Sequence, residues 1–157
     1  MDFITDRIAI GDRHEAGNFN LLMELKIDAV LNVAYDLDIS YYDQVPPSHH
    51  KFQVEYQKVG MIDGYGNQPT ALIAAVCMLD ELLGRHRTVL VHCHAGVSRS
   101  STVVATYLTH KSGISFDDAI EFVRSKRPRI NPHPALVAIA KTLPNLFEQA
   151  CFTLPQK

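Results

Sequence analysis

Cysteine is scarce in this 157-residue chain, which holds three, at positions 77, 93 and 151. An odd number at wide spacing excludes a disulfide framework, and no two of them have the short spacing of a zinc ligand pair. The histidines add no such pair: His49-His50, His86, His110 and His133 lack the helical spacing that holds a metal, so no metal site and no cofactor are expected. Charge of one sign is not in excess either, with 15 Lys and Arg against 17 Asp and Glu and a net charge of −2. General binding to nucleic acid or to a membrane surface is therefore not expected. No apolar run approaches the roughly 18 residues of a transmembrane helix, and the N-terminus carries no signal-peptide pattern. These absences point to a cytoplasmic protein, with nuclear access open to it. Repeats, low-complexity tracts and linkers are missing too, so the length fits one domain, residues 1–157, around a single core. The sequence leaves the oligomeric state open.

What the chain does have is the stretch Val89-Leu90-Val91-His92-Cys93-His94-Ala95-Gly96-Val97-Ser98-Arg99-Ser100-Ser101-Thr102. The β-branched apolar run from Thr88 to Val91 reads as a buried strand, and Thr102 to Leu108 as an apolar helix. A loop that leaves a strand and enters a helix collects backbone N–H groups without intrahelical partners, in a field made positive by the helix dipole. Such a turn binds anions. The amides of His94, Ala95, Gly96, Val97 and Ser98 form the expected phosphate cradle. Gly96 gives the backbone freedom for a tight turn, and Arg99 offers two parallel hydrogen bonds to one phosphate. The same field favours a thiolate at Cys93, which makes it a candidate nucleophile at neutral pH. Attack on phosphorus would give a cysteinyl-phosphate, its transition state stabilised by the loop amides and Arg99. Ser100 is placed to donate a hydrogen bond to the departing sulfur.

His92-Cys93-x-x-Gly96-x-x-Arg99-Ser100 resembles the Cys-x5-Arg signature of the protein tyrosine phosphatase superfamily, and His-Cys-His-Ala-Gly-Val-Ser-Arg-Ser is similar to its dual-specificity branch. Ile8-Ala9-Ile10-Gly11, Ala16 and Ile27-Asp28-Ala29-Val30-Leu31-Asn32-Val33-Ala34 resemble the opening third of those domains. Val103 to Leu108 fits the family's Ala-Tyr-Leu-Met segment more loosely, with Thr106 intervening. Arg127-Pro128-x-Ile130-Asn131-Pro132 resembles the Arg-Pro-x-x-x-Pro-Asn stretch, with Asn131 and Pro132 in the opposite order and His133-Pro134 in place of the usual continuation. Tryptophan is absent, whereas the tyrosine-specific branch carries its general acid in a Trp-Pro-Asp loop, so the resemblance favours the dual-specificity or a related small branch.

The resemblance spans residues 3–147 and implies a metal-independent phosphatase acting on phosphotyrosine and on phosphoserine or phosphothreonine, its partner being a phosphorylated protein or peptide. A leaving phenolate or alkoxide needs a proton, and an acid on a loop that closes over the phosphate supplies it. Asp63, thirty residues ahead of Cys93 and followed by Gly64 and Gly66, is the candidate for that acid and then base, as its counterpart is in the resembling family. The glycines mark a mobile loop, and Asp36, Asp38 and Asp43 are rivals for the role. Inositide, glucan and RNA 5′-phosphate phosphatases share the chemistry, and a phosphate-reading pseudophosphatase would share the cradle. Lysines inside the loop, which meet extra inositide phosphates, are absent: His94, Ala95, Val97 and Ser98 stand there.

The rest of the chain alternates strands and helices. Strands are expected at Arg7 to Ile10, at Ala29 to Val33, and at Phe52, Val54 and Tyr56 before Val59. Helices are expected from Phe19 to Lys26 capped by Asn18, over Thr70 to Gly84, from Phe116 to Lys126 capped by Ser115, and from Ala135 to Gln149. This order gives an α/β fold, a mainly parallel central sheet flanked by helices on both faces, with the site at the carboxyl end of the strands. Cys77 is expected in the core, with a disulfide from it or Cys151 to Cys93 as an alternative. His92 is expected to orient the loop by hydrogen bonding. Tyr35, Tyr41 and Tyr42 either line a substrate cleft, or cover a core edge or face solvent. Arg124, Lys126, Arg127 and Arg129 either neutralise a helix C-terminus or attract acidic peptides or a second phosphate.

Overall fold

The computed structural model of the chain describes residues 1–41 and 54–147. Its sheet has five strands: β1 (Asp2–Phe3), β2 (Ile8–Gly11), β3 (Ala29–Ala34), β4 (Glu55–Met61) and β5 (Val89–His92), in the order β1-β2-β5-β3-β4. Only β1 runs antiparallel to its neighbour; β2, β5, β3 and β4 are parallel. Every residue of β2, β3 and β5 is buried, because helices cover both faces and a near-continuous apolar strand has no polar side to turn outward. The half-buried β4, with Glu55, Gln57 and Lys58, is an edge strand, as β1 is on the other side.

Period-two alternation sorts the strand residues between two cores. Ile8, Ile10, Leu31, Val33, Val89 and Val91 face the helices α3 (Pro69–Arg85), α4 (Arg99–Ser112), α5 (Phe116–Lys126) and α6 (Pro134–Thr142). Ala9, Val30 and Leu90 face the other way, onto Ala16 of α1 (Arg13–Ala16) and Leu22 of α2 (Phe19–Glu24). The central strand sets the level of the site: His92 at the end of β5 lies opposite Gly11 on one side and Asn32 on the other. The loops that leave β2, β3 and β5 therefore emerge together. No helix among the described residues is long and apolar enough to cross a membrane.

Four expectations need correction. The helix after the cysteine loop starts at Arg99, not Thr102, so Arg99 and Ser100 are helical and buried. Its buried hydroxyls stay satisfied by bonding back one turn, Thr102 Oγ1 to Ser98 O at 2.9 Å and Thr106 Oγ1 to Thr102 O at 2.7 Å. The last helix ends at Thr142 instead of running to Gln149, because Pro144 forces Leu143 out of the helical region, to φ −67° and ψ 137°. The helix expected from Phe19 to Lys26 closes at Glu24, and Lys26 takes a positive φ of 55°. Cys77 is exposed, not core; α3 turns Leu72, Ala75, Val76, Leu79 and Leu82 inward, and the residue after Val76 points to solvent. Tyr42, Asp43, Phe52 and Cys151 lie outside the described residues.

Candidate active site

The loop from Cys93 to Ser98 is shaped by what its carbonyls are tied to. His94 O accepts from Arg13 N at 3.0 Å and Val97 O from Asn131 N at 3.0 Å. Gly96 O accepts from Arg127 Nε at 2.7 Å. The hydroxyl of Ser98 accepts from His133 N at 3.0 Å. With these oxygens engaged outward, the loop amides are left to turn inward, and those of Val97 and Ser100 donate to the Cys93 sulfur. Gly96 adopts φ 63°, and a Cβ there would lie 2.4 Å from Gly11 O and 2.6 Å from Arg127 Nη2. No side chain fits such a site without moving backbone.

Burial of Cys93 opposes its ionisation, yet the hydrogen bonds from Ser100 Oγ and the Ser100 and Val97 amides, with the charge of Arg99, outweigh it and bring the thiol below its usual range. Cys93 Sγ lies 3.4 Å from Ser100 Oγ. His92 is fully buried, its Nδ1 donating to Cys93 O at 3.3 Å, and desolvation pushes its pKa down to about 4. It is therefore neutral at neutral pH, and its hydrogen bond holds the backbone at Cys93.

Arg99 is buried at the base of the cradle. Its Nη1 donates to Asp36 Oδ1 at 3.0 Å and to Met61 O at 3.2 Å, and its Nη2 to Asp63 Oδ2 at 3.3 Å. Its Nε is buried with no partner among the described residues, and an unpaired buried donor costs about 1–3 kcal/mol. Asp36, on the loop after β3, also meets His94 Nε2 at 3.1 Å. The hydrogen bond from Arg99 holds the Asp36 carboxyl below the usual carboxylate range. Asp38 instead pairs with Lys58 at 2.7 Å.

Asp63 sits between β4 and α3, where Gly64 and Gly66 carry φ of 124° and 97°. The amide of Asn67 ties that loop together: Oδ1 accepts from Ile62 N at 2.8 Å, and Nδ2 donates to Ile62 O at 2.8 Å and Gly64 O at 3.1 Å. Tyr65, largely exposed, stands edge-on to His133 with centroids 4.9 Å apart. His133 caps α6 by accepting from Ala135 N at 3.1 Å, so the residue that replaces the family's usual continuation touches both the loop that carries Asp63 and, through Ser98, the cysteine loop.

The structure thus brings Cys93, Arg99, Ser100, Asp63 and the loop residues 94–98 into one site, and adds Asp36. Tyr41 goes elsewhere: its hydroxyl donates to Ala16 O at 2.6 Å and its ring packs on Phe19 and Tyr56, so it covers the second core. Tyr35 remains exposed. Among the described residues no group of three or more His, Cys, Asp or Glu is placed to hold a metal ion.

Arg127 is the supporting residue that sequence reasoning missed. It is fully buried, paired with Asp2 and bonded to Gly96 O, and so clamps the cradle from behind. Arg127→Met leaves the buried Gly96 carbonyl without its donor, while Asp2, 43% exposed, can be solvated, and the expected cost is about 1–3 kcal/mol of unfolding free energy, read by denaturant titration. An unchanged midpoint would contradict the clamp.

Residues 10–140 match the family described as "Dual specificity phosphatase, catalytic domain". Human dual specificity protein phosphatase 6 is 32% identical over 131 residues, covering 79% of this chain and 31% of that protein. The Drosophila melanogaster dual specificity protein phosphatase Mpk3 is 29% identical over 134 residues, covering 85% of this chain and 31% of that protein. The chain spans about a third of the length of these curated relatives. Among solved structures, human DUSP28 superposes with a TM-score of 0.75 at 21% identity, covering 90% of this chain and 93% of that one. A mouse putative dual specificity phosphatase complexed with zinc tungstate gives 0.75 at 25% identity, covering 89% and 83%.

Proposed function

Because the chain belongs to the dual specificity phosphatase catalytic-domain family, we propose that it hydrolyses phosphotyrosine and phosphoserine or phosphothreonine in proteins through a covalent intermediate on Cys93. The observation that carries this reading is the sulfur itself: a buried thiol whose ionisation is favoured by two amides, a hydroxyl and a guanidinium, in a loop whose His94, Gly96 and Val97 carbonyls are tied to groups outside it. A pure phosphate reader needs the amides and the arginine but has no use for an activated thiol.

In the first step the Cys93 thiolate attacks phosphorus as the P–O bond to the leaving group breaks. Amides of residues 94–98 and the Nε and Nη2 of Arg99 hold the equatorial oxygens; the phosphate replaces Asp63 on Nη2 and satisfies the unpaired Nε. Asp63 gives its proton to the leaving oxygen. In the second step water attacks the cysteinyl-phosphate, Asp63 takes the proton, and the S–P bond breaks with Ser100 Oγ hydrogen-bonding the returning thiolate. A cytoplasmic setting, where thiols stay reduced, suits a free Cys93.

Two measurements separate the nucleophile from the acid. Activity rises with pH as Cys93 ionises, and the rise falls on the acid side of an ordinary thiol because the fold favours the thiolate. Asp63→Asn should slow a phosphotyrosine peptide by about 10²–10⁴-fold and slow p-nitrophenyl phosphate less, because that leaving group hardly needs a proton. An Asp63→Asn protein that turns over the peptide at the parent rate would assign the acid elsewhere, with Asp36 next in reach of Arg99.

A further inference from the structure

The turn that carries Asp63 joins the end of β4 at Met61 to the start of α3 at Pro69, and its hold on the rest of the domain changes during the reaction. Asp63 Oδ2 accepts from Arg99 Nη2 at 3.3 Å. A phosphate takes that nitrogen, so the tie is given up just when the acid is needed. The bonds of Asn67 to Ile62 and Gly64 stay within the turn and fix its shape, not its place. His133 supplies a contact that does not use Arg99. Its ring stands edge-on to Tyr65, with centroids 4.9 Å apart and planes at 82°, and a Cβ on Gly64 would lie 3.7 Å from its Nε2. The two residues that follow Asp63 therefore rest on one imidazole.

That imidazole is itself held from several sides. His133 N donates to Ser98 Oγ at 3.0 Å, and Nδ1 accepts from Ala135 N at 3.1 Å. His133 O accepts from Leu136 N at 2.9 Å and Val137 N at 3.1 Å. Because Nδ1 accepts, the ring proton of the neutral form sits on Nε2, the ring atom nearest Gly64. Pro132 and Pro134 lock φ on either side of it. Two residues earlier, Asn131 N donates to Val97 O at 3.0 Å. Residues 131–133 are thus bonded to the cysteine loop at Val97 and Ser98, and they meet the turn of Asp63 through the His133 ring. Phosphate cradle and acid share one support.

We propose that His133 is a positioning residue for proton transfer: it braces Gly64 and Tyr65 so that Asp63 keeps its place over the leaving oxygen after Arg99 has turned to the phosphate. The proposal rests on the reading of Asp63 as the acid and adds what holds that acid in place. An acid displaced by an ångström can lose about 10²-fold in rate. Only leaving groups that need a proton feel such a loss.

The test follows kcat/KM for a phosphotyrosine peptide and for a series of aryl phosphates of rising leaving-group basicity. His133→Asn removes the ring but keeps a side chain that caps a helix and the backbone bond to Ser98. Tyr65→Ala removes the other half of the contact at a residue that is 79% exposed, so the fold survives it. Both should lower kcat/KM for the peptide by about tenfold or more, yet by less than Asp63→Asn does. Both should also steepen the dependence on leaving-group basicity, which a general loss of packing would not do. Tyr65→Phe, which keeps the ring, should restore the parent rate. In the Asp63→Asn background neither His133→Asn nor Tyr65→Ala should cost anything further, because their effect passes through that carboxyl. Parent rates in both variants beside a slow Asp63→Asn would overturn the brace and leave the acid reading standing. A loss equal for all leaving groups, or one that persists in full in Asp63→Asn, would overturn it as well, and would place the effect on the cradle through Ser98 or on the substrate itself. An Asp63→Asn protein as fast as the parent would remove the acid assignment and the brace with it.

Discussion

Replacing Cys93 with serine should reduce turnover of p-nitrophenyl phosphate and of a phosphotyrosine peptide by on the order of 10⁴–10⁶-fold, while phosphopeptide binding persists. The size of the loss follows from the sulfur's surroundings. Val97 N–H, Ser100 N–H, Ser100 Oγ and Arg99 together overcome the burial that would keep the thiol protonated. They cannot bring a serine hydroxyl, far less acidic to begin with, to a useful alkoxide fraction. The same donors still face a phosphate, so the cradle remains. A serine variant that turns over at the parent rate would mean that Cys93 is not the nucleophile.

Arg99→Ala should cost about 10³–10⁵-fold in kcat/KM, the range seen when an arginine that neutralises a transferring phosphoryl group is removed. Both binding and rate should fall, because the guanidinium meets the phosphate in the ground state and follows its charge into the transition state. Arg99→Lys should restore little, since an ammonium cannot reproduce a planar fork whose Nη1 is also bonded to Met61 O at 3.2 Å. The fold should survive the alanine: Asp36 and Asp63, which lose their cation, are 61% and 55% exposed and can be solvated. Peptide kinetics with a circular dichroism control would check this. A variant folded and fully active without the guanidinium would remove Arg99 from the site.

How much of this could be read from residues alone depended on the range of the interaction. The strand of Val89 to Val91, the cysteine turn and the helix behind it are written in consecutive residues, and Ser100 lands by Cys93 because a loop of fixed length ends in a helix. Asp63 came from chemistry plus its place between a strand and a helix. Asp36 was legible only as a rival, because its approach to Arg99 depends on the parallel pairing of β3 with β5, which no local pattern records. Arg127 was harder still. Among Arg124, Lys126 and Arg129 it looks like one more cation at a helix end, and only packing of the chain after α5 against the loop buries it and aims Nε at Gly96 O. The overlong last helix was a different failure, since Pro144 was in plain view and a proline restricts the residue before it. Cys77 fell between two apolar neighbours on α3, and the angular width of the buried stripe decided against it.

The covalent step is the centre of the account, and it is tested most directly by trapping it. The protein is mixed in excess with a phosphotyrosine substrate in EDTA and quenched in acid within the first turnover, and its digest is examined by mass spectrometry. One phosphoryl group is expected on the peptide containing Cys93, absent from Cys93→Ser, and decaying as inorganic phosphate appears. Product released in the same burst with Cys93 never modified would contradict it, and would mean that water attacks phosphorus directly.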